Sequence, residues 1–170
     1  GSDAVSGALA VNVFSNVTEA AVGDGVAVTT YGSQPQALPG TPNAEQLGIE
    51  VAAHSDTNAV SLAGAVAGAK KAGVGLSNTD IVNFDKTLAT VGKASHLAAQ
   101  GTGNGAKVSA ESKQVLANIG VSGGVATQGT GVGGVLGVIV TMNEVAARVG
   151  DGSGVVSQGD TTISARNDGT

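Results

Sequence analysis

Three short stretches carry residue types at spacings that catalysis uses. Gly120-Val121-Ser122-Gly123-Gly124 matches G-x-S-x-G, in which a serine nucleophile stands on a tight strand-to-helix turn. The hydrolase order needs a histidine after the serine, and both histidines, His54 and His96, precede it. Gly129-Thr130-Gly131-Val132-Gly133-Gly134 matches G-x-G-x-x-G, a phosphate-cradling pattern that must open a helix. The residues that follow, Val135 to Val140, read as a strand instead. With 28 glycines in 170 residues, both matches are expected by chance. His54-Ser55-Asp56 places an imidazole and a carboxylate on one face of a strand, too few ligands for a zinc site.

The remaining candidates reduce to turns and surface positions. Asp24, Asp151 and Asp160 sit beside glycines, but no tandem calcium-binding G-G-x-G-x-D array surrounds them. Thr29-Thr30 and Thr161-Thr162 lack the regular spacing of ice-binding threonine ranks. His96 has no charged neighbour nearer than Lys93, and Asn16-Val17-Thr18 is a glycosylation acceptor only in a glycosylating host. The sequence therefore assigns no catalytic, cofactor-binding or metal-binding residue, and the expectation is a protein that is not an enzyme and needs no cofactor.

These residues need a scaffold, and composition restricts its kind. Hydrophobic residues make up 41% of the chain but aromatics only 2%: Tyr31, Phe14 and Phe84. A core of Val, Ala, Leu and Ile with few large anchors implies many small, regularly stacked side chains. Charged residues are 12%, so disorder is not expected. Eight Lys and Arg against 13 Asp and Glu leave a net charge of −5, the wrong sign for nucleic acid. Cysteine is absent, which excludes disulfides. No apolar run reaches the length of a membrane span, the segment Gly131 to Met142 being too short and too rich in glycine.

A repeat organises the chain. Asn16-Val-Thr-Glu-Ala-Ala-Val-Gly23, Asp85-Lys-Thr-Leu-Ala-Thr-Val-Gly92 and Asn143-Glu-Val-Ala-Ala-Arg-Val-Gly150 are three copies of one phrase. Their glycines are 69 and 58 residues apart. A Gly-rich apolar stretch precedes each copy: Gly7 to Val13, Gly73 to Val82, and Gly133 to Val140. A β-branched phrase follows each: Gly25 to Thr30, Gly105 to Ser112, and Asp160 to Arg166. Val51 matches Val108 at a shift of 57. The extra length of the first interval falls in Gly32 to Gly48, which holds Pro35, Pro39 and Pro42 and reads as a loop excursion. Each unit divides into about three strand-turn passes. Ala59 to Ala72 is the one segment open to a short helix, on its Ala and Lys content against its Gly64/Gly68 spacing. The repeated Asn or Asp reads as a corner residue, closed by the glycine after it.

Short strands, glycine turns, small core residues and a long repeat define an all-β protein, a parallel β-helix or β-solenoid. Gly1 and Ser2 read as a cloning scar, and residues 3–170 as one solenoid fragment of a larger protein. The phrase from Gly7 to Thr29, with its echo Gly134 to Gly152, resembles the repeats of leukotoxin-type filamentous adhesins, the haemagglutinin-like proteins of Gram-negative bacteria. The resemblance covers Ala4 to Tyr31 and Ile49 to Arg166. It implies a right-handed parallel β-helix, secreted or at the bacterial surface, serving as the shaft of an adhesin or toxin. The partners it implies are neighbouring repeats of the parent chain and a host-cell receptor, protein or glycan. A membrane-active module, through Ala59 to Gly73 and Gly131 to Val140, and a solenoid carbohydrate-active enzyme are the alternatives. Two departures mark the copies: Gly92-Lys93-Ala94 replaces Gly-Asp-Gly in the second, and Val145 replaces Thr18 and Thr87 in the third.

Overall fold

Strict alternation of inward and outward side chains runs through most of the chain, and in the computed structural model it produces strands only. The structure describes residues 2–31 and 47–169. The first coil comprises β1 (Asp3–Val22), β2 (Ala27–Thr30) and β3 (Leu47–Ala69). The second comprises β4 (Ala72–Val91), β5 (His96–Ala99) and β6 (Gly105–Ala126). The third comprises β7 (Thr130–Val149), β8 (Gly154–Ser157) and β9 (Thr161–Gly169). Equivalent strands stack in parallel into three sheets: sheet A (β1-β4-β7), sheet B (β2-β5-β8) and sheet C (β3-β6-β9). This is a parallel β-helix.

The ladders follow the sequence repeat. Asn16, Asp85 and Asn143 are register partners in sheet A, as are Thr18, Thr87 and Val145. Val51 pairs with Val108 in sheet C, and Val108 with Ile163. Two long sheets face each other, and the four-residue strands of sheet B close one side between them.

The interior tapers. Beside sheet B it is wide enough for a true core of Ile49, Val51, Val91, Leu97 and Val108, interleaved with Ala53, Ala89, Ala99, Ala106 and Ala110. Each buried Val, Leu or Ile there contributes about 1.5–3 kcal/mol of transfer free energy. Towards the opposite tip, sheets A and C converge and the inward positions shrink to Ser77, Ser61, Ala63, Ala65 and Ala67. At the tip itself the inward positions of sheet A in the second and third coils are glycines, Gly73, Gly75, Gly131 and Gly133. A Cβ on Gly73 would lie 2.7 Å from the carbonyl oxygen of Val125 and 2.8 Å from that of Ala67. The large apolar side chains of this half point outward instead.

The taper and the strand register correct three expectations. Residues 59–69 are strand, not helix. Their alanines have period two, with Ala59, Ala63, Ala65 and Ala67 inward because the opposing sheet is close. Asn16, Asp85 and Asn143 lie within strands and face the interior rather than turning a corner. The left-handed backbone falls just beyond the phrase, at Gly25 (φ 68°), Ala94 (φ 52°) and Gly152 (φ 71°). Finally, Gly25 to Thr30 is not equivalent to Gly105 to Ser112. Its residues Ala27–Thr30 pair with His96–Ala99, and those with Gly154–Ser157, whereas Ala106–Ser112 pair with Ile49–Ser55 and Thr161–Asn167. The strands of sheet B are too short, and in His96–Ala99 too poor in β-branched residues, to declare themselves by pattern. Apart from Leu47 and Gly48, the Pro-containing excursion 32–48 lies outside the described residues.

Candidate functional site

The structure separates the residues that motif spacing had offered for catalysis. Ser122 lies within β6, on its inward face, where its Oγ approaches the position of a Cβ on Gly133. His54 stands on the outer face of β3 and pairs in register with Glu111, 11 residues before Ser122 on β6, or about 36 Å at the rise of a strand. Opposite faces and that distance rule out a shared site. Gly129-Thr130-Gly131-Val132-Gly133-Gly134 runs directly into β7, with no helix to receive a phosphate. The glycines there serve close packing, since a Cβ on Gly131 would collide with the carbonyl oxygen of Gly124.

His54 and Asp56 do share a face, as alternation requires. His54 Nε2 is 3.0 Å from Asp56 Oδ2, and His54 Nδ1 is 3.7 Å from Glu111 Oε2. Both partners are about half exposed, so this is a solvated surface pair. Among the described residues no cluster of His, Asp and Glu is arranged to hold a metal ion. The glycine-flanked aspartates hold turns: Asp24 Oδ1 accepts from the Lys93 amide at 2.7 Å, and the Asp151 carbonyl accepts from Ala94 N at 3.0 Å. His96 opens β5 with its imidazole at the surface beside Gly154.

What the repeated phrase does is visible inside. Asp85 is 3% exposed, and its Oδ2 accepts from Thr57 Oγ1 at 3.0 Å, Asn83 Nδ2 at 3.2 Å and Gln114 Nε2 at 2.5 Å. Gln114 Nε2 also donates to Asn143 Oδ1 at 2.8 Å, and Asn16 Nδ2 to Thr57 Oγ1 at 3.5 Å. The Asn-Asp-Asn ladder thus ties sheet A to sheet C across all three coils. Burying a carboxylate is tolerable only with such donors. Further towards the tip, Asn118 Nδ2 donates to the carbonyl oxygens of Thr79 and Val138, both at 2.9 Å, and Asn12 Nδ2 to Ser61 Oγ at 2.9 Å. The threonine row is silent: Thr87 is fully buried and its hydroxyl has no hydrogen-bond partner. Val145 in the same row therefore loses nothing.

Two groups escaped the sequence reading. Ser95 and Ser153 each follow a Val-Gly by three residues, a spacing that would have marked them. The outer face of sheet A carries Val5, Leu9, Val11, Val13, Leu76, Leu136, Val138 and Met142, all more than half exposed. Charges gather at its sheet B end, where Glu144 bonds Lys86 Nζ at 3.2 Å and Arg148 Nη2 at 2.8 Å. The Lys86 ammonium, aided by Arg148, holds the Glu144 carboxyl below its ordinary value.

Comparison with protein-family models, with curated proteins and with solved structures finds no match to the chain. No described helix is long and apolar enough to cross a membrane. The class defined by fold and interior is a parallel β-helix whose repeated polar residues hold its coils together.

Proposed function

We propose that this chain is a structural shaft segment of a secreted or surface-exposed bacterial filamentous adhesin or leukotoxin, without catalytic activity of its own. The observation that carries the reading is the Asn16–Asp85–Asn143 ladder. The most recognisable repeated position is turned inward and used for stacking, so the repeat serves length and stiffness rather than a recurring ligand site. The resemblance of the repeated phrase to filamentous adhesins supplies the bacterial surface, and a host-cell receptor would engage other parts of the parent chain.

The test is binding of the labelled, folded chain to leukocytes and epithelial cells, with and without Gly32 to Gly48. A shaft shows no saturable binding while its circular dichroism is β-rich and its unfolding cooperative. Saturable binding that disappears with the excursion would reassign the segment to recognition, because loops on a rigid scaffold carry such contacts.

A further inference from the structure

The outer face of sheet A has a size pattern that matches itself. One row across the three coils is Gly7–Leu76–Gly134, a leucine between two gaps. The next outward row is Leu9–Asn78–Leu136, a gap between two leucines. Leu9 is 69% exposed, Leu136 72% and Leu76 53%. These same six residues line a groove of about 500 Å³. We infer that this face binds a second copy of the chain, sheet A against sheet A, about a two-fold axis lying between the two rows and parallel to the direction of coil stacking.

That axis leaves each strand opposite its own copy and reverses its direction. Leu9 and Leu136 enter the gaps over Gly7 and Gly134 of the partner subunit, and Leu76 fills the gap over Asn78 of the partner subunit. The contact is isologous, as closed dimers require. Two apolar sheet faces stack about 10 Å apart in this way in ordinary sandwiches. The overlap runs from the row of Ala72 to that of Val82 and takes in Val5, Val11, Val13, Val132 and Val138. Eleven residues by three strands cover about 500 Å² in projection, before the height of the protruding side chains is counted, against roughly 800 Å² of accessible area per partner in a standard interface.

The reversal carries the exposed turn Lys70–Lys71 of the partner subunit to within about two residues of the row that holds both Lys86 and Glu144, some 7 Å along the strand, so charge at this edge does not select the arrangement and shape and area carry it. Lys86, Glu144 and Arg148 stay outside the overlap and in solvent. Asp80 lies inside it, hydrogen-bonded to Asn78 Nδ2 at 2.9 Å. A carboxylate there makes lipid hydrocarbon the poorer occupant, whereas a protein interface has room for bridging water.

Sedimentation velocity across a concentration series tests this on the whole chain. The wild type should dimerise. Leu136→Glu should raise the dimer dissociation constant roughly thirtyfold or more, with unchanged circular dichroism. Gly7→Phe, at a position where a Cβ meets nothing within 4 Å, should also dissociate the dimer by filling the gap, although it adds apolar surface. Val66→Glu, on the outer face of sheet C, should leave it intact. A monomer up to the solubility limit, or a dimer indifferent to Leu136→Glu or to Gly7→Phe, or one broken by Val66→Glu, overturns the proposal. So does a monomer that floats with phosphatidylcholine–phosphatidylglycerol vesicles and binds them more tightly as Gly7→Phe.

Discussion

The amide of Ser95 donates to Ser153 Oγ at 3.0 Å, and that hydroxyl donates on to the carbonyl of Gly92 at 2.5 Å. Ser95 repeats the arrangement one coil earlier, donating its own hydroxyl to the Gly23 carbonyl at 2.8 Å and accepting from Val26 N at 3.1 Å. Serines at the corner between sheets A and B therefore latch each coil to the one before it. Ser95 is fully buried. Ser95→Ala strands a backbone donor and an acceptor, and should lower stability by about 1–3 kcal/mol in urea titrations. Ser153, less enclosed, should cost less. Equal losses at the two positions would count against the latch.

Ala94 takes a left-handed φ of 52° where the flanking coils have Gly25 and Gly152. A Cβ in that conformation costs on the order of 1 kcal/mol. Ala94→Gly should therefore stabilise the protein by about 0.5 kcal/mol, after the added freedom of glycine in the unfolded chain is offset. Gly152→Ala, the reverse change, should destabilise it by a similar amount. Paired denaturation curves with unchanged slopes check both.

Asp85 and Thr87 are neighbours on one face with opposite demands. Asp85→Leu leaves the donors on Thr57, Asn83 and Gln114 unanswered and should cost about 2–4 kcal/mol. Asp85→Asn keeps an acceptor and restores the residue found at Asn16 and Asn143, so it should stay within about 1 kcal/mol of the wild type. Thr87→Val removes a hydroxyl that bonds nothing and should stabilise by about 1 kcal/mol, Val145 showing that the row takes the shape. A thermal scan that ranks Thr87→Val below the wild type would show that the hydroxyl is used.

These positions mark how far the sequence could be read. The phrase around Asn16, Asp85 and Asn143 declared the coil repeat and its shifts because all three copies stack with the same side chain inward. It did not declare which way those side chains pointed, because Asn and Asp serve corners as readily as interiors. Residues 59–69 misled for a physical reason. Where two sheets approach to backbone contact, alanine and glycine must go inside, and Val60, Leu62 and Val66 are displaced outward. The usual inference from large apolar residue to core is inverted there, so neither the strand nor the apolar outer faces were legible. The corner serines were legible in principle, through the Gly-x-x-Ser spacing of Gly92–Ser95 and Gly150–Ser153, but serine is too common in turns to single them out.

The thin tip gives a prediction about glycine that distinguishes packing from flexibility. Gly73 has no left-handed backbone, yet its Cβ would press on the carbonyls of Val125 and Ala67 from the opposing sheet. Those atoms belong to ladders and cannot rotate away. Gly73→Ala should cost about 2 kcal/mol or more, in the range of overpacked cores. Gly7→Ala, three rows along on the outer face of the adjacent strand, meets nothing within 4 Å and should be neutral within about 0.5 kcal/mol. Equal tolerance at both positions would mean that sheets A and C do not approach as closely as the ladder geometry requires.

Glu144 gives the pH dependence its sign. Its carboxyl bonds Lys86 at 3.2 Å and Arg148 at 2.8 Å, so its folded-state pKa lies below the unfolded one. A depressed carboxyl pKa adds stability that is fully present above the unfolded value and disappears as pH falls through the folded value. The contribution is therefore constant at neutral pH and lost only in acid. It is small because the group is open to solvent, and added salt should weaken it further. Lys86→Ala removes the larger cause and should move the Glu144 midpoint upward towards that of a free glutamate, followed by carbon-detected NMR titration. Arg148→Ala should move it less. A midpoint that responds more to Arg148 than to Lys86 would reverse the order of the two partners.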